Sequence, residues 1–324
     1  NPSLFLGELA LDGRLRKVKG AVPAAFLAKE KNFDLYIPEK NADEVGLIEG
    51  IRAYKVSTLN DLFEHLKGKK ELPLVEHTFI NDIEPEANPD FSDIKGQTVA
   101  KRALEIAAAG HHNILFVGSP GSGKTMLARA LKSILPPLSY EELIEVLLLK
   151  STAGVDFSTL QERPFRSVHH TASAVALCGG GVHLRPGEIS LASRGVLFLD
   201  EFPEFTRDVL ESLRQPLEDG HITVSRAAGS VVYPAKVLMV AACNPCACGY
   251  YGDPVERCSC SHSALDRYRR RLSGPILDRI DLHISVPRLM PEELVSLEGK
   301  NGESSFDVRK RVKEARLRQE KRWN

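Results

Sequence analysis

The sequence has no excess of charge of either sign and no long apolar run. Lysine plus arginine and aspartate plus glutamate each number 43, so the formal net charge is zero. Any attraction to nucleic acid must therefore come from local basic patches. No apolar run approaches the roughly 20 residues that span a bilayer, and no N-terminal signal peptide is visible. The sequence therefore gives no indication of a membrane-spanning segment.

Cysteine is scarce outside one short segment. Five of the six cysteines lie between Cys243 and Cys260, which favours metal binding or local redox chemistry over a disulfide scaffold. Two Cys-x-Cys pairs, about ten residues apart, can supply four thiolates to a tetrahedral zinc ion. A reduced thiol-rich loop and a pair of redox-labile disulfides remain alternatives, because Cys-x-Cys is less specific than Cys-x-x-Cys. The candidate zinc ligands are Cys246, Cys248, Cys258 and Cys260.

The best-defined motif in the chain is a phosphate-binding loop. The apolar run Ile114–Val117 has a strand pattern, and it is followed by Gly-x-x-x-x-Gly-Lys-Thr and then by an amphipathic helix. Such glycines let backbone N–H groups converge on an anion, the lysine reaches the β- and γ-phosphates, and the threonine hydroxyl binds Mg²⁺. The loop therefore predicts an ATP site with Thr125 as a magnesium ligand. Its residues are Gly118, Ser119, Pro120, Gly121, Ser122, Gly123, Lys124 and Thr125.

Two further apolar runs end in polar residues that suit nucleotide hydrolysis. The run Val196–Leu199 leads into Asp200 and Glu201, which is the Walker B pattern. Asp200 would hold Mg²⁺, and Glu201 would activate the attacking water as general base. Solvated acids at a strand end are the alternative. A later run ends at Asn244, whose amide would face the γ-phosphate and position the water.

The remaining segments give coarser indications. Residues 1–68 alternate between strand and helix patterns, residues 69–90 form a linker, and residues 91–290 carry the nucleotide motifs. In the helix before the phosphate loop, the expected buried face is Val99, Ala103, Ile106 and Gly110. The polar, glycine-rich region 165–188 predicts a hairpin or loop inserted between core elements. Its pair His169 and His170 has no third metal ligand at helical or turn spacing, which favours loop packing or contact with a polymer over metal.

Residues 1–68 resemble the C-terminal part of the Lon-protease-like domain, of the ribosomal S5 domain 2-like type. In that family a Gly-Glu-x-x-Leu-x-Gly-x-(Leu/Val) segment precedes a helix with the catalytic lysine. The lysine position is Val22 in this chain, and the nucleophilic serine would precede Asn1. A structural or docking module is therefore favoured over a Lon-type protease.

The nucleotide motifs together resemble the AAA+ ATPases. Leu-Asp-Arg-Ile-Asp places Arg279 at the position of an arginine finger, with Arg271 as the second choice. The order of Arg-Pro-Phe-Arg, His-His-Thr-Ala-Ser, Gly-Gly-Gly and Arg-Pro-Gly-Glu-Ile-Ser-Leu-Ala is similar to the magnesium-chelatase-like branch. Asn-Pro-Cys-x-Cys-Gly-Tyr-Tyr-Gly-Asp and Tyr-Arg-Arg-Arg-Leu-Ser-Gly-Pro-Ile-Leu-Asp-Arg-Ile-Asp narrow the resemblance to the ComM/YifB family.

This resemblance implies an α/β fold. An AAA+ P-loop core with a parallel sheet would occupy residues 91–290. It would follow a partial α+β Lon-like domain and precede the start of a helical lid at residues 291–324, truncated before the sensor-2 arginine.

The resemblance also implies a function. Members of the family are understood as bacterial, cytoplasmic, homohexameric DNA motors that use ATP and Mg²⁺. They drive branch migration in homologous recombination and natural transformation, with single-stranded or branched DNA and recombination proteins as partners. We expect DNA contacts from Arg226 in the hairpin 222–233 and from His169, His170 and Arg185 in the glycine-rich segment. A solvated turn is the alternative for Arg226.

A magnesium-chelatase-type protein-remodelling ATPase is the competing function. Chelatase motor subunits usually show Asn-Pro-Glu-Glu-Gly after the strand-tip asparagine, and they lack a Lon-like domain. The Cys-Ala-Cys-Gly segment from Cys246 to Gly249 and residues 1–68 therefore favour the DNA motor.

Overall fold

The structure is a computed structural model, and it describes residues 2–78, 88–155, 162–181, 184–226, 229–271, 276–296 and 302–323. The chain divides into two compact units. The first comprises residues 1–83 and 139–162, and the second comprises residues 84–138 and 163–324. Among the described residues, no helix combines the length and the apolar character needed to cross a membrane.

Short strands and helices alternate along the chain. The strands are β1 (Ser3–Phe5), β2 (Glu8–Leu9), β3 (Leu15–Arg16), β4 (Asp34–Pro38), β5 (Ala53–Val56), β6 (Ile114–Val117), β7 (Phe165–Val168), β8 (Gly179–Gly180), β9 (Arg185–Pro186), β10 (Val196–Leu199), β11 (His221–Arg226), β12 (Gly229–Pro234), β13 (Leu238–Cys243) and β14 (Leu282–Ser285). The α-helices are α1 (Ala21–Lys31), α2 (Ala42–Val45), α3 (Leu59–Leu66), α4 (Thr98–Gly110), α5 (Lys124–Ile134), α6 (Tyr140–Ala153), α7 (Ala174–Cys178), α8 (Glu188–Leu191), α9 (Arg207–Ser212), α10 (Arg214–Asp219), α11 (His262–Arg271), α12 (Pro291–Ser296) and α13 (Ser305–Trp323). Short 3₁₀ helices lie at Glu39–Asn41, Phe91–Asp93, Phe202–Glu204 and Leu277–Arg279.

The first unit is built on a parallel sheet of order β1-β4-β5, with the hairpin β2–β3 beside it. Helix α1 contacts β1, β4, α2 and α6. Helix α6 follows the phosphate-loop helix in sequence, yet it packs in this first unit. A capping box of Ser139 and Glu142 starts α6, because each residue's side chain accepts from the other's backbone N–H.

Val22 lies in the core of this first unit. Its side chain is fully buried, and its backbone N–H donates to the Ser151 hydroxyl of α6 at 3.3 Å. The position that carries the catalytic lysine in Lon-like proteases is therefore closed to solvent in this chain by a neighbouring helix.

The second unit is built on an all-parallel sheet of order β14-β6-β13-β10-β7. Strands β10 and β13 are buried along their whole length, as their continuous apolar sequences predict. Helices α4 and α5 pack against this sheet, and α13 packs against both of them. Val308 and Val312 of α13 are buried in the same hydrophobic core as the sheet. Helix α13, within the segment 291–324 that was expected as the start of a lid, thus contributes to this unit's core.

Strand β7 corrects one expectation from the sequence. The polar pattern of Phe165–Val168 predicts an inserted loop, but this segment pairs in parallel with β10 as the edge strand of the main sheet. An edge strand tolerates polar residues because one side of it is not covered by another strand. Arg166 on this strand forms a bidentate ion pair with Glu188 of α8, with nitrogen–oxygen distances of 2.5 and 2.7 Å.

The buried face of α4 also differs from the expectation. Val99 is 67% exposed and Ile106 is 39% exposed, whereas Leu104 is fully buried. The predicted face is therefore wrong except at Ala103. Small residues bring the helix close to the sheet, to α5 and to α13; they are Ala100, Ala103, Ala107 and Ala108.

Candidate nucleotide site and cysteine cluster

The phosphate loop lies where strand β6 ends and helix α5 begins. Gly121 and Gly123 have φ angles of 77° and 93°, a region that glycine adopts without strain. A Cβ at Gly118 would lie 2.3 Å from the Val286 carbonyl oxygen, so only glycine fits there. Helix α5 starts at Lys124, and its unpaired N–H groups open toward the loop.

The loop fits a bound phosphate group. Ser119 and Ser122 are both buried, and the Ser122 hydroxyl has no hydrogen-bond partner among the described residues. A buried polar atom without a partner is costly, so this hydroxyl is available to an incoming oxygen. The residues present therefore suit the nucleotide that the motif predicts.

Lys124 joins the phosphate loop to the tip of strand β13. Its Nζ donates to the Gly118 and Ser119 carbonyl oxygens at 2.6 and 3.0 Å, and to Asn244 Oδ1 at 3.3 Å. Burial lowers the pKa of Lys124, while the nearby Asp200 acts in the opposite direction. The structure thus brings together the predicted phosphate lysine and the predicted water-positioning amide.

Asp200 and Thr125 offer the oxygen ligands that Mg²⁺ prefers. Asp200 follows β10 and is half-buried, with one carboxylate oxygen accepting from the Glu201 N–H at 2.9 Å. Thr125 is the second residue of α5 and is exposed. These residues would hold the ion, which would supply positive charge to the phosphates of the substrate.

Glu201 lies at the same edge of the sheet in an unusual conformation. Its φ angle is 51°, in the left-handed region that non-glycine residues seldom adopt. Its carboxylate lies 2.7 Å from His170 Nδ1, and the His170 ring is 4.1 Å from that of His169 between centroids. The metal-binding atoms that these three side chains could offer lie within 4.8 Å of one another. The neighbouring strand thus places an acid beside the two histidines, and His170 contacts the predicted general base.

The two candidate arginine fingers are paired with acids in this chain. Arg279 donates to a Glu218 carboxylate oxygen of α10, with Nε at 2.9 Å. Arg271 pairs with Glu204 at 3.0 Å. Both side chains are partly exposed, Arg279 at 36% and Arg271 at 52%.

The four predicted zinc ligands come together in one cluster. The Cys246 sulfur lies 3.3 Å from that of Cys248 and 3.8 Å from that of Cys258, and the Cys248–Cys258 distance is 3.6 Å. With Cys260 included, all four sulfurs lie within 4.8 Å of one another. All six cysteines of the chain are free thiols.

The thiol pKa is shifted in opposite directions for Cys248, which belongs to the cluster, and for Cys243, which does not. Backbone N–H groups of Tyr250 and Ser259 lower the pKa of the Cys248 thiol. Burial instead raises the pKa of Cys243, in strand β13, to about 12. Cys243 therefore stays protonated at neutral pH, and it is not a member of the cluster.

The two predicted DNA segments contact each other. The hairpin formed by β11 and β12 packs against β8, and the Tyr233 hydroxyl donates to the Leu184 carbonyl oxygen. Arg185 is exposed on β9. Arg226 ends β11.

Sequence reasoning from motifs did not identify three neighbours of the site. These are His170 beside Glu201, Tyr268, which donates to the Asn244 carbonyl oxygen at 2.9 Å, and Gly249, which lies against Pro120. Each contact joins residues that are distant in sequence or that lack a motif of their own. Tyr268 lies within the basic run of α11, and no motif there predicts its contact with Asn244.

Comparison with known proteins supports the resemblance that the motifs indicate. The family model described as magnesium chelatase, subunit ChlI, matches residues 90–294. The competence protein ComM of Haemophilus influenzae is 46% identical over 96% of this chain and 62% of that protein. YifB of Escherichia coli is 44% identical over 99% of this chain and 63% of that protein. The chain thus spans about three fifths of the length of these relatives.

A chelatase subunit is a more distant relative. The magnesium-chelatase 38 kDa subunit of Cereibacter sphaeroides is 28% identical over 48% of this chain and 52% of that protein. The matches confirm the resemblance to ComM and YifB, and the α/β P-loop fold agrees with the five-stranded parallel sheet. The core has the α/β fold of an AAA+ protein, and this chain belongs to the family described as magnesium chelatase, subunit ChlI.

Proposed function

We propose that this chain is the ATPase part of a motor that moves along DNA. The observation that carries the proposal is the position of the β11–β12 hairpin. The hairpin lies in sequence between β10, which leads into Glu201, and β13, which leads into Asn244. A movement of Asn244 on ATP hydrolysis would be transmitted to the hairpin through β13. A movement of Glu201 would be transmitted through the short helices α9 and α10.

The site residues have separate roles in the proposed hydrolysis. Lys124 binds the β- and γ-phosphates, and Asp200 and Thr125 hold Mg²⁺. Asn244 orients the attacking water, and Glu201 accepts its proton. Arg279 would stabilise transition-state charge on a neighbouring subunit's nucleotide. The proposed cofactors are ATP and Mg²⁺ at this site, and Zn²⁺ at the cysteine cluster.

The biological setting is carried over from the relatives. The Haemophilus relative is named as a competence protein. We propose a cytoplasmic bacterial homohexamer that drives branch migration in homologous recombination and natural transformation, together with recombination proteins.

A protein-remodelling ATPase of the chelatase type is the second candidate. It is favoured by the family match over residues 90–294. The ComM relative covers twice as much of the chain as the chelatase subunit does, which supports the DNA motor.

The deciding experiment measures ATP hydrolysis by the full-length protein with no DNA, with single-stranded DNA and with forked DNA. We expect stimulation by DNA, and DNA binding that falls steeply with salt because phosphate contacts release counterions. If DNA neither binds in the presence of ATP nor stimulates hydrolysis, the chelatase-type function takes first place.

The hairpin gives a more specific test. Arg226→Ala should weaken DNA binding and remove DNA stimulation while basal hydrolysis survives, because the residue lies outside the nucleotide site. Arg318→Ala is the matched control, since it removes the same charge from an exposed position on α13. Equal loss of DNA binding in both variants would contradict a specific role for the hairpin.

A further inference from the structure

We infer that the four-cysteine cluster is a zinc centre that holds the phosphate loop and Asn244 in place, so that zinc occupancy sets the affinity for nucleotide. The inference rests on the proposed nucleotide site. In this inference the metal does not contact the nucleotide but fixes the position of residues that line the ATP site.

The sulfur positions match a tetrahedral metal site. Zinc–thiolate bonds of about 2.3 Å place the sulfurs of a regular tetrahedron about 3.8 Å apart. The three sulfur–sulfur separations among Cys246, Cys248 and Cys258 are 3.3, 3.6 and 3.8 Å. A disulfide would need a sulfur–sulfur distance of about 2.05 Å, which none of these pairs shows. Four uncharged thiols attract one another only weakly, whereas a divalent metal ion binds four thiolates and so brings the sulfurs together.

The cluster begins next to the nucleotide site. Strand β13 ends at Cys243, Asn244 follows, and Cys246 is only 1% exposed. Between Asn244 and Ser261 the chain forms no helix or strand. A loop of this length without secondary structure needs another source of order, and a bound metal supplies it.

The first turn of the cysteine loop packs on the phosphate loop. Gly249 has a φ of 93°, and a Cβ built there would lie 2.9 and 3.0 Å from the Pro120 ring. The same Cβ would lie 4.0 Å from the Asn244 amide nitrogen. The residue after Cys248 therefore lies against Pro120 of the phosphate loop and near Asn244.

Polar contacts also order the loop and Asn244. One carboxylate oxygen of Asp253 accepts from the N–H groups of Val255 and Glu256, at 2.9 Å each. Tyr268 of α11 is buried and donates to the Asn244 carbonyl oxygen at 2.9 Å. Without metal, the loop that carries Gly249 and Asp253 would lose its fixed conformation, and Pro120 and Asn244 would lose their neighbour Gly249.

The first measurement is metal content. We expect one zinc per chain in full-length protein purified in reductant without chelator, and loss of zinc in Cys258→Ser and Cys260→Ser. Cys178→Ser is the matched control, because Cys178 lies outside the cluster and contacts the Ser212 carbonyl oxygen. Zinc near zero in the wild-type protein would overturn the inference.

The second measurement is the affinity for a fluorescent ATP analogue with Mg²⁺. Zinc-free Cys258→Ser should bind it about tenfold more weakly, the loss expected when one or two polar contacts are misplaced. Circular dichroism and the melting temperature verify that the variant is folded. If the variant does not fold, wild-type protein stripped with a chelator, then dialysed and supplied with Mg²⁺, replaces it.

A glycine pair separates the contact from the metal. Gly249→Ala should keep its zinc and still bind the nucleotide analogue more weakly, because the added Cβ pushes on Pro120. Gly252→Ala is its control, since Gly252 has a similar φ of 78° but nothing within 4 Å of the added Cβ. Unchanged nucleotide affinity in both Gly249→Ala and zinc-free Cys258→Ser would refute the positioning role while leaving the metal site intact. Failure of the wild-type protein to bind the analogue would instead count against the proposed ATPase.

Discussion

At the scale of single residues, the nucleotide site separates binding from chemistry. Lys124 contacts the phosphate loop and Asn244, whereas Glu201 lies at the end of another strand and contacts His170. The motifs predict these side chains because each motif fixes a residue type at a strand end. The contact with His170 could not be predicted, since it depends on which strands become neighbours in the sheet.

Lys124→Ala and Glu201→Gln should therefore fail in different ways. Lys124→Ala should lose ATP binding, because the pocket loses its phosphate cation. Glu201→Gln should bind ATP as the wild-type protein does and hydrolyse it at least about a hundredfold more slowly, because only proton acceptance is removed. Nucleotide affinity and single-turnover hydrolysis, measured on both variants, check this. Equal loss of ATP affinity in the two would show that the roles are assigned wrongly.

At the scale of elements, buried strands were predictable and edges were not. Strands β6, β10 and β13 show continuous apolar runs, because both faces of a central parallel strand are covered. The polar residues of β7 made this edge strand look like a loop in the sequence. The buried face of α4 was predicted wrongly because alanines that approach the sheet closely carry a weaker signal than Val99 and Ile106, which remain exposed. Such packing depends on α13, some 200 residues away in sequence.

Helix α13 is attached to α4 through an ion-pair network that should respond to pH. Arg311 contacts both Glu105 of α4, at 2.7 Å, and Glu303. The Arg311 guanidinium, followed by that of Arg102, lowers the pKa of the Glu105 carboxyl. The stabilisation from a lowered pKa is complete above the unfolded-state value of about 4.3 and is lost as the pH falls through the folded-state value.

Glu105→Gln should thus destabilise the protein by about 0.5–1 kcal/mol at pH 7, since Arg311 is 43% exposed and solvent screens the pair. The difference from the wild-type protein should shrink as the pH falls below about 4. Urea unfolding at several pH values measures it. Glu314→Gln removes an exposed carboxylate from α13 as the control. A difference that is independent of pH would mean that the ion pair is not its source.

At the scale of the whole molecule, we expect the site to be completed by a second copy. Arg279 is paired with Glu218 of α10 and partly exposed, and it stands at the position that the resemblance assigns to an arginine finger. Arg279→Ala should bind ATP yet turn over about a thousandfold more slowly.

Mixing should reveal the trans arrangement. Combining Arg279→Ala with Lys124→Ala subunits should restore part of the ATPase activity, because each variant supplies what the other lacks. ATPase rates across mixing ratios measure this. No recovery at any ratio, together with failure of Arg279→Ala to bind ATP, would exclude the trans role, and Arg271 would be tested next.

The placement of α6 affects the order in which the chain can fold during its synthesis. The first unit needs α6, whose Ser151 binds the backbone at Val22, but the ribosome makes the phosphate loop before it makes α6. Domains generally fold as they emerge, N-terminal ones first. In this chain the core of the first unit cannot be completed until β6 and α5 have also left the ribosome. We therefore expect the two units to fold in the same stage of synthesis. A fragment that stops at residue 83 would leave the buried surface of α1 without its partner helix.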